Sequence, residues 1–342
     1  MLKSLKSLFA KPNEASASNR SVADDKVVSL ETLAPESALP TEPRDWPQDQ
    51  SALPWFDRDD APDTIKTMAR EGRITAEQKG LLEKWVEDGY FVIEGLIDKD
   101  RVQAFRDEIE NIGSRQDPYA GLNFSDVKIG DEVHVHVPHE DLLALSLEER
   151  EKAKAVSNWR IGALHLFSEA ANRVFLDDET RQLCELIFAK PSIPRYSLSF
   201  HKGSQQLLHQ DTPVFHVFPR NHLIGVWIAM ENITADSGPL VYFPKSHREP
   251  LYEEFGNYPQ TNRRTCSQET SHRYDAYVQK LSERFEEKLF TPNEGDALFW
   301  HGQLIHGGYP VQNPDTTRLS FVVHHMAEGC DAGAHVVGPF NW

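Results

Sequence analysis

The chain has 342 residues, of which 39% are hydrophobic and 10% aromatic. That is enough for one large domain with a sizeable core, or for two small ones. The formal net charge of −17 argues against a nucleic-acid-binding protein, because so acidic a chain repels phosphate backbones and anionic membranes over most of its surface.

The cysteines and the apolar runs narrow the class further. Cys184, Cys266 and Cys330 share no C-x-x-C spacing and are odd in number. This argues against a disulfide framework and a cysteine zinc site, and it favours a cytoplasmic location. The sequence contains no apolar run near the roughly 18 residues that a transmembrane helix needs.

Residues 1–54 are rich in small, polar and acidic residues and poor in large apolar ones. Such a segment cannot bury enough surface to offset its ordering entropy, so we expect it to be disordered or loosely ordered. Within it, residues 1–11 place leucines at near-helical spacing between lysines. They are either a frayed tail, which we favour, or a short helix in contact with a membrane surface.

Ordered structure is predicted from residue 55, and helices come first. A capping box at Thr75 opens a helix that ends near Gly89. The compact apolar run Tyr90–Ile93 predicts a strand. Asp98 is expected to cap a second helix, and residues 168–189 carry a further helical pattern.

From Ile193 onward, the pattern changes to short apolar strands separated by turn sequences. Helices followed by strands predict an α+β domain, mainly β, built on a sandwich or small barrel with flanking helices. Residues 251–288 are charged and partly helical, and we expect them to be an insertion between strands. The predicted strands are Tyr196–Phe200, Ile224–Met230, Leu240–Phe243, Ala297–Trp300 and Leu319–Val323.

The first chemical motif is Leu208-His209-Gln210-Asp211. Residues i and i+2 of a strand face the same side, so His209 and Asp211 can direct an imidazole and a carboxylate at one point. Two histidines and one carboxylate on one face of an iron leave its other positions open. A lone H-x-D pair is weak, so the interpretation needs a second histidine.

A distal histidine and an arginine supply the remaining parts. His306 lies where a predicted strand meets a glycine turn, and Arg318 and Ser320 share a face of the last strand. A guanidinium beside a hydroxyl suits a buried carboxylate. If each residue is considered alone, the favoured interpretation of His306 is a histidine in a turn, and that of Arg318 is a surface ion pair with Asp315. The order of H-x-D, distal histidine and R-x-S is hard to obtain by chance.

Further short motifs accompany these residues. They are Gly203-Ser204-Gln205-Gln206, Trp227-Ile228-Ala229-Met230-Glu231-Asn232, Gly238-Pro239-Leu240 and Phe243-Pro244-Lys245-Ser246-His247. Together the motifs resemble the phytanoyl-CoA dioxygenase-like family of Fe(II)/2-oxoglutarate-dependent oxygenases, over roughly residues 75–326. The resemblance implies a double-stranded β-helix (a jelly roll, cupin-like) with flanking N-terminal helices, which we assign to residues 55–342.

The resemblance also implies a metal site and a reaction. His209, Asp211 and His306 would bind Fe(II), and the co-substrates would be 2-oxoglutarate and O2. The expected reaction is hydroxylation of a small organic substrate with release of succinate and CO2. Related halogenases lack the carboxylate ligand, so the presence of Asp211 favours hydroxylation.

The co-substrate contacts follow from the same resemblance. Arg318 would bind the distal carboxylate of 2-oxoglutarate, and Trp227 and Gln210 would lie beside the co-substrate. Ser320 follows from the R-x-S pattern. Lys202 is close to the motif in sequence, and we expect it to line the entrance of the site rather than to bind 2-oxoglutarate.

Three groups of residues leave alternatives open. The cationic and titratable side chains near the motifs favour a polar or anionic substrate, although an ordinary solvated surface is the favoured explanation. His134 and His136 have the spacing of a metal pair, but no carboxylate accompanies them and a strand surface is favoured. We expect His324 or His325 to face the substrate. The cationic group comprises Lys202, Arg220, His222, His247, Arg248, Arg263 and Arg264.

Two functional alternatives remain at this point. One is a non-catalytic relative that binds a metal or a small molecule. The other is an oxygenase that acts on a lipid-linked substrate at a membrane surface, recruited through residues 1–11. The sequence indicates no oligomeric state.

Overall fold

The computed structural model describes residues 53–331. The predicted disorder of the N-terminal segment and the alternatives for residues 1–11 fall on residues 1–52, outside the described part. Within residues 53–331, no helix is long and apolar enough to cross a membrane. The three cysteines are free, as their spacing predicts. The cytoplasmic location stays a prediction.

The helices begin and end largely where the sequence places their caps. Thr75 forms the predicted capping box with Gln78, and Gly89 ends the helix with φ 77°. The Asp98 side chain accepts from the N–H of Arg101. The helices are α1 Ala61–Arg70, α2 Ala76–Asp88, α3 Lys99–Asn111, α4 His139–Ala144, α5 Leu147–Val156, α6 Glu169–Phe175, α7 Asp178–Phe188, α8 Thr212–Phe215 and α9 Gln268–Ser282.

The helical pattern over residues 168–189 forms two helices, α6 and α7, rather than one. The carboxylate of Asp177 accepts from the backbone N–H and the hydroxyl of Thr180, at 2.8 and 2.7 Å. A side chain that caps a new first turn favours a helix start at that position. Periodicity alone did not predict this break.

The strands form one large and two small antiparallel sheets. The strands are β1 Tyr90–Ile93, β2 Asn123–Ser125, β3 Val127–Ile129, β4 Glu132–His134, β5 Val137–Pro138, β6 Arg160–Gly162, β7 Ser192–Phe200, β8 Leu223–Ala229, β9 Leu240–Tyr242, β10 Lys288–Phe290, β11 Ala297–His301, β12 His306–Gly308 and β13 Ser320–Ala327. The large sheet has the strand order β1-β11-β8-β13-β7-β6-β2-β5, the second sheet β10-β9-β12, and the third sheet β3-β4.

The predicted α+β class, with a double-stranded β-helix core and flanking helices, is confirmed. Strand β9 shows the two-sided packing of the three-stranded sheet. Leu240 and Tyr242 belong to the main hydrophobic core. Val241 and Phe243, which alternate with them, belong to a second core. The three-stranded sheet is therefore buried on both faces.

Residues 251–287 provide the other side of that second core. Helix α9 contributes Tyr274, Val278 and Leu281, all buried. The charged side chains that suggested an insertion form ion pairs, such as Arg273 with Glu254 at 2.7 Å. The segment joins β9 to β10 and covers the outer face of the small sheet.

Candidate active site

Two distant histidines are brought side by side by backbone hydrogen bonds. His209 and His306 form an isolated antiparallel β-bridge. The N–H of His209 donates to the carbonyl of His306 at 2.9 Å, and the N–H of His306 donates back at 3.1 Å. Their ring centroids lie 4.4 Å apart. The fold, rather than local sequence, therefore pairs these imidazoles.

Asp211 reaches the same point from a helical turn. Its backbone has φ −73° and ψ −32°, and it is the N-cap residue of α8. The H-x-D motif therefore consists of a bridge residue and a helical residue, not of two residues in one regular strand. The Oδ1 atom of Asp211 still lies 3.7 Å from Nε2 of His209 and 3.8 Å from Nε2 of His306.

The tautomer of each histidine is set by a backbone carbonyl. Nδ1 of His209 lies 2.8 Å from the carbonyl of Leu207, and Nδ1 of His306 lies 3.0 Å from that of Leu304. A carbonyl only accepts, so each Nδ1 is the donor and each Nε2 keeps its lone pair. Burial, reinforced by His306, lowers the pKa of His209 to about 3, so its imidazole is neutral at pH 7.

The second oxygen of Asp211 is held by two side chains. The indole Nε1 of Trp300 donates to Oδ2 at 2.8 Å, and Nε2 of His324 lies 3.2 Å from the same atom. Burial alone would raise the pKa of Asp211. The neighbouring imidazoles of His306 and His324 outweigh burial and keep that pKa below its ordinary value.

Trp300 is a site residue that the motif analysis did not identify. Its ring lies over the backbone of Gly225, where an added Cβ would come within 2.1 Å of a ring carbon. Strand β8 therefore needs glycine opposite this indole. The glycine inside the apolar run Ile224–Met230 is a sequence signal from which such a close approach could have been predicted.

The three ligand atoms satisfy the geometric requirement of a metal site. One atom from each of His209, Asp211 and His306 lies within 4.8 Å of the others. This is the one such cluster found in residues 53–331. Two imidazoles and one carboxylate suit Fe(II) and leave its other positions open to further ligands. The donor set fits the metal that the motif predicts.

A cavity opens beside this cluster, with about 450 Å³ of empty space when its open mouth is included. Apart from the metal cluster and Arg318, its walls are mainly apolar or aromatic. The lining residues are Leu198, Phe200, Ser204, Gln206, His209, Asp211, Phe215, Trp227, Leu240, Trp300, His306, Arg318, Val322 and His324.

Arg318 places a buried cation in the same cavity. Its side chain is 2% exposed, and Nη1 donates to Oγ of Ser320 at 3.1 Å. Within the described residues, its buried Nε has no hydrogen-bond partner. Burial lowers the pKa of Arg318 to about 10, so it stays charged at pH 7. A surface pair with Asp315 is therefore not its role, and an anion is needed to compensate it.

Comparison with known proteins decides the family. The sequence profile of the phytanoyl-CoA dioxygenase (PhyH) family matches residues 85–319. The chain belongs to this family. Its predicted class, an Fe(II)/2-oxoglutarate-dependent dioxygenase, is thereby confirmed, as is the expectation of Fe(II), 2-oxoglutarate and O2.

Similar sequences in the phytanoyl-CoA dioxygenase family carry different names. Phytanoyl-CoA dioxygenase domain-containing protein 1 of Danio rerio is 23% identical over 76% of this chain and 92% of its own length. The peroxisomal phytanoyl-CoA dioxygenase of Bos taurus is 27% identical over 68% of this chain, which covers 63% of that protein. Ectoine dioxygenase of Stutzerimonas stutzeri is 24% identical over 84% of this chain and 89% of its own length.

Solved structures share the fold at low identity. The epimerase SnoN from nogalamycin biosynthesis, solved with Fe3+, α-ketoglutarate and nogalamycin RO, aligns at a TM-score of 0.54 and 15% identity. That alignment covers 75% of this chain and 86% of SnoN. EctD of S. alaskensis, solved with 2-oxoglutarate and 5-hydroxyectoine, aligns at 0.51 and 17%, over 74% and 76% of the two chains.

In this phytanoyl-CoA dioxygenase family member, the structure brings five predicted site residues together. The same cavity is lined by His209, Asp211, His306, Arg318 and Trp227. The guanidinium carbon of Arg318 lies 5.5 Å from the ring centroid of Trp227. The predicted neighbours of metal and co-substrate thus share one space.

Two other predicted site residues lie behind the lining. The side chain of Gln210 is buried and donates from Nε2 to the carbonyl of Gln303 at 2.9 Å. It is not among the lining residues, so this geometry gives no support to its predicted position beside the co-substrate. Ser320 is also absent from the lining and contacts Arg318 instead.

The remaining predicted groups lie apart from the metal cluster. Lys202 donates to the carbonyl of Pro314, and Arg263 pairs with Asp275 at 2.7 Å. Neither lines the cavity, and none of the other suggested cations does. His134 ends strand β4 and is not part of the metal cluster.

Of the final histidine pair, one member lines the cavity. His324 does so, whereas Nδ1 of His325 lies 3.0 Å from Oγ of Ser192. The expectation that one of the two faces the substrate space fits His324.

Proposed function

We propose that this enzyme hydroxylates a small organic substrate, with Fe(II) bound by His209, Asp211 and His306, and releases succinate and CO2 from 2-oxoglutarate. One observation carries the proposal. The three ligand atoms face a cavity that also contains the buried, incompletely hydrogen-bonded guanidinium of Arg318. A divalent cation would bind the three ligand atoms, and a dicarboxylate bound to that cation would pair with the guanidinium.

The protein supplies two imidazoles and one carboxylate. The carbonyls of Leu207 and Leu304 keep the Nε2 lone pairs directed at the metal position. Trp300 donates to Oδ2 of Asp211, so Oδ1 is the atom that faces the imidazoles of His209 and His306. When bound, the iron supplies the activation of O2, and these hydrogen bonds fix its ligands.

Arg318 would bind the far carboxylate of 2-oxoglutarate. A guanidinium presents parallel N–H groups that match a carboxylate, and Ser320 already orients Nη1. The rings of Phe200 and Trp227 lie 5.3 and 5.5 Å from the guanidinium carbon. They exclude water from the pair, which strengthens it. The arginine therefore orients the co-substrate rather than taking part in the chemistry.

The cavity walls favour a substrate whose reacting part is uncharged and largely apolar. Leu198, Phe215 and Val322 line the space, and Ser204 and Gln206 add neutral polar groups. The cations that suggested an anionic substrate lie elsewhere, so they give it no support. The names of the relatives refer to compounds as different as phytanoyl-CoA and ectoine, so these names do not identify the substrate of this chain.

An anaerobic titration tests the cofactor assignment. Fe(II) and 2-oxoglutarate are added to the metal-free protein, and the weak visible charge-transfer band of the chelate is followed. The band is expected in the wild type. In Arg318→Ala, we expect 2-oxoglutarate to bind about 100-fold more weakly, because a buried charged pair is worth several kcal/mol. A wild type that binds iron without forming the band would contradict the proposal.

A substrate screen tests the hydroxylation and the substrate class. Succinate release is measured with matched apolar, neutral polar and anionic compounds, and products are checked for added oxygen. We expect apolar and neutral compounds to stimulate release most. Stimulation by anions that is lost in Arg263→Ala and Arg264→Ala would contradict the substrate part of the proposal.

A further inference from the structure

The insertion lies directly behind the metal ligands. His209 and His306 face the cavity, so their neighbours Leu208 and Ile305 face the opposite side. Both of these side chains pack into the second core, which helix α9 builds. The outer surface of the two-histidine bridge is therefore covered by residues 251–287, not by solvent.

The backbone between the first two ligands is bonded from the same side. The N–H of Gln210, between His209 and Asp211, donates to the hydroxyl of Tyr274 at 3.1 Å. Tyr274 is fully buried on α9. A buried N–H needs an acceptor, and elsewhere in the sheets a neighbouring strand supplies it. Here the insertion does so.

The helical turn that follows Asp211 is held in the same way. A helix of four residues leaves its carbonyls without internal partners. The hydroxyl of Tyr258 lies 2.7 Å from the carbonyl of Val217 and 3.1 Å from that of Thr212. The side chain of Arg264 donates from Nε to the carbonyl of Val214 at 3.1 Å. The insertion thus supplies donors to both ends of α8.

We propose that residues 251–287 set the geometry of the metal centre, with Tyr274 and Tyr258 as positioning residues for His209 and Asp211. The inference rests on the metal site of the proposed function. The physical reason is that both ligands lie on one short segment whose outward hydrogen bonds go to the insertion. Loss of those bonds lets the segment leave the arrangement in which the ligand atoms converge.

The variant Tyr274→Phe tests this with minimal change. It keeps the ring and removes only the acceptor of the Gln210 N–H. We titrate the metal-free protein with Co(II) and follow the visible absorption of the bound metal. The dissociation constant is expected to rise about tenfold, which is the range for loss of one hydrogen bond to a ligand segment. The control is Tyr277→Phe, a partly buried tyrosine of the same helix that packs on the same core. It should change the constant less than twofold.

The outcomes separate this inference from the proposed function. If the wild type and Tyr274→Phe bind Co(II) equally, the positioning role is overturned and the metal site stands. If the wild type binds no Co(II), both are overturned. A lower melting temperature with an unchanged dissociation constant identifies a merely structural role and also overturns the inference.

A measurement on the wild type covers the case in which Tyr274→Phe does not fold. Coupling between two parts of a protein is reciprocal, so Co(II) should slow amide exchange within residues 251–287. The amide of Arg263, which donates to the carbonyl of Pro213 at 3.1 Å, is a direct reporter. Slower exchange confined to residues 206–217, with none in the insertion, would overturn the proposal.

Discussion

Two clusters in residues 53–331 have the same composition, two histidines and one aspartate, yet only one meets the geometry of a metal site. The cavity cluster is His209, Asp211 and His306, and the second cluster is His247, His301 and Asp57. The rings of the second cluster's histidines also lie close together, with centroids 5.2 Å apart. Residue type and proximity therefore do not separate the two.

The difference lies in the lone pairs of the imidazoles. In the cavity cluster, each Nδ1 donates to a carbonyl and each Nε2 is left for a metal. In the second cluster, Nδ1 of His301 accepts from the N–H of Gln303 at 3.0 Å, and Nε2 contacts Oδ2 of Asp57 at 3.3 Å. Asp57 also accepts from Asn221 at 2.7 Å. Both ring nitrogens of His301 are thus occupied by protein groups, and the cluster joins the chain near residue 57 to strand β11.

The largest expected contrast is between the two aspartates. Asp211→Ala removes one of three ligands, so we expect the dissociation constant for Co(II) to rise more than about 100-fold, beyond the range of outer-shell changes. Asp57→Ala should leave that constant within threefold. It should lower the free energy of unfolding by about 1–3 kcal/mol, because the buried side chains of Asn221 and His301 lose their acceptor. Metal titration and urea unfolding measure the two effects. Equal loss of metal binding in both variants would contradict the distinction.

The second cluster should also contribute to the loss of stability in acid. Burial, reinforced by His301, lowers the pKa of His247 to about 3. The unfolded value is near 6.5, so between these values the unfolded chain binds the extra proton and stability falls as pH falls. The loss is about 1.4 kcal/mol per pH unit below 6.5, or about 2 kcal/mol at pH 5.

This is checked by urea unfolding of the metal-free wild type and of His247→Gln at pH 7 and pH 5. The variant lacks the titrating group and should lose about 2 kcal/mol less stability over that range. An equal loss in both proteins would show that His247 is not the group responsible.

A smaller effect is expected from the indole that holds the metal carboxylate. Trp300→Phe removes the donor to Oδ2 of Asp211 and keeps a flat ring over Gly225. Co(II) should bind about tenfold more weakly, the range for loss of one outer-shell hydrogen bond. Trp227→Phe is the matched control, since Trp227 lines the cavity next to Arg318. It should leave Co(II) affinity within threefold, and a tenfold loss there would remove the special role of Trp300.

The sequence was sufficient to select the candidate ligands because their order and spacing are typical of this chemistry. His209, Asp211, His306 and Arg318 form an ordered set of motifs, and each lines the cavity. The holders of the carboxylate, Trp300 and His324, could not be predicted in the same way. They reach Asp211 from strands β11 and β13, and that contact exists only once distant strands pair.

The position of Gln210 shows a limit of the strand rule. Strand alternation predicted that His209 and Asp211 share a face, but Asp211 has helical φ and ψ angles. From this irregular segment the side chain of Gln210 reaches the carbonyl of Gln303. Alternation therefore could not predict the direction of this side chain, and its place beside the co-substrate stays a prediction.

The insertion shows a different limit. Its composition predicted a charged, partly helical insertion, and its ion pairs, such as Arg273 with Glu254, agree with that prediction. The sequence did not indicate that its buried tyrosines contact the metal-site segment, because an apolar stripe on a helix does not reveal which surface it covers. Only the pairing of β9 with β12 identified the covered surface as the back of the histidine bridge.

The carbonyls that fix the histidine tautomers have a consequence for sequence drift. Every amino acid at positions 207 and 304 brings the same C=O group, so no side-chain replacement there removes the acceptor itself. Leu207 is 65% exposed and is free to vary in size and polarity. Of the four contacts that hold the candidate ligands, the two at Nδ1 of His209 and His306 are thus made to the main chain, and a side-chain substitution cannot remove their acceptors.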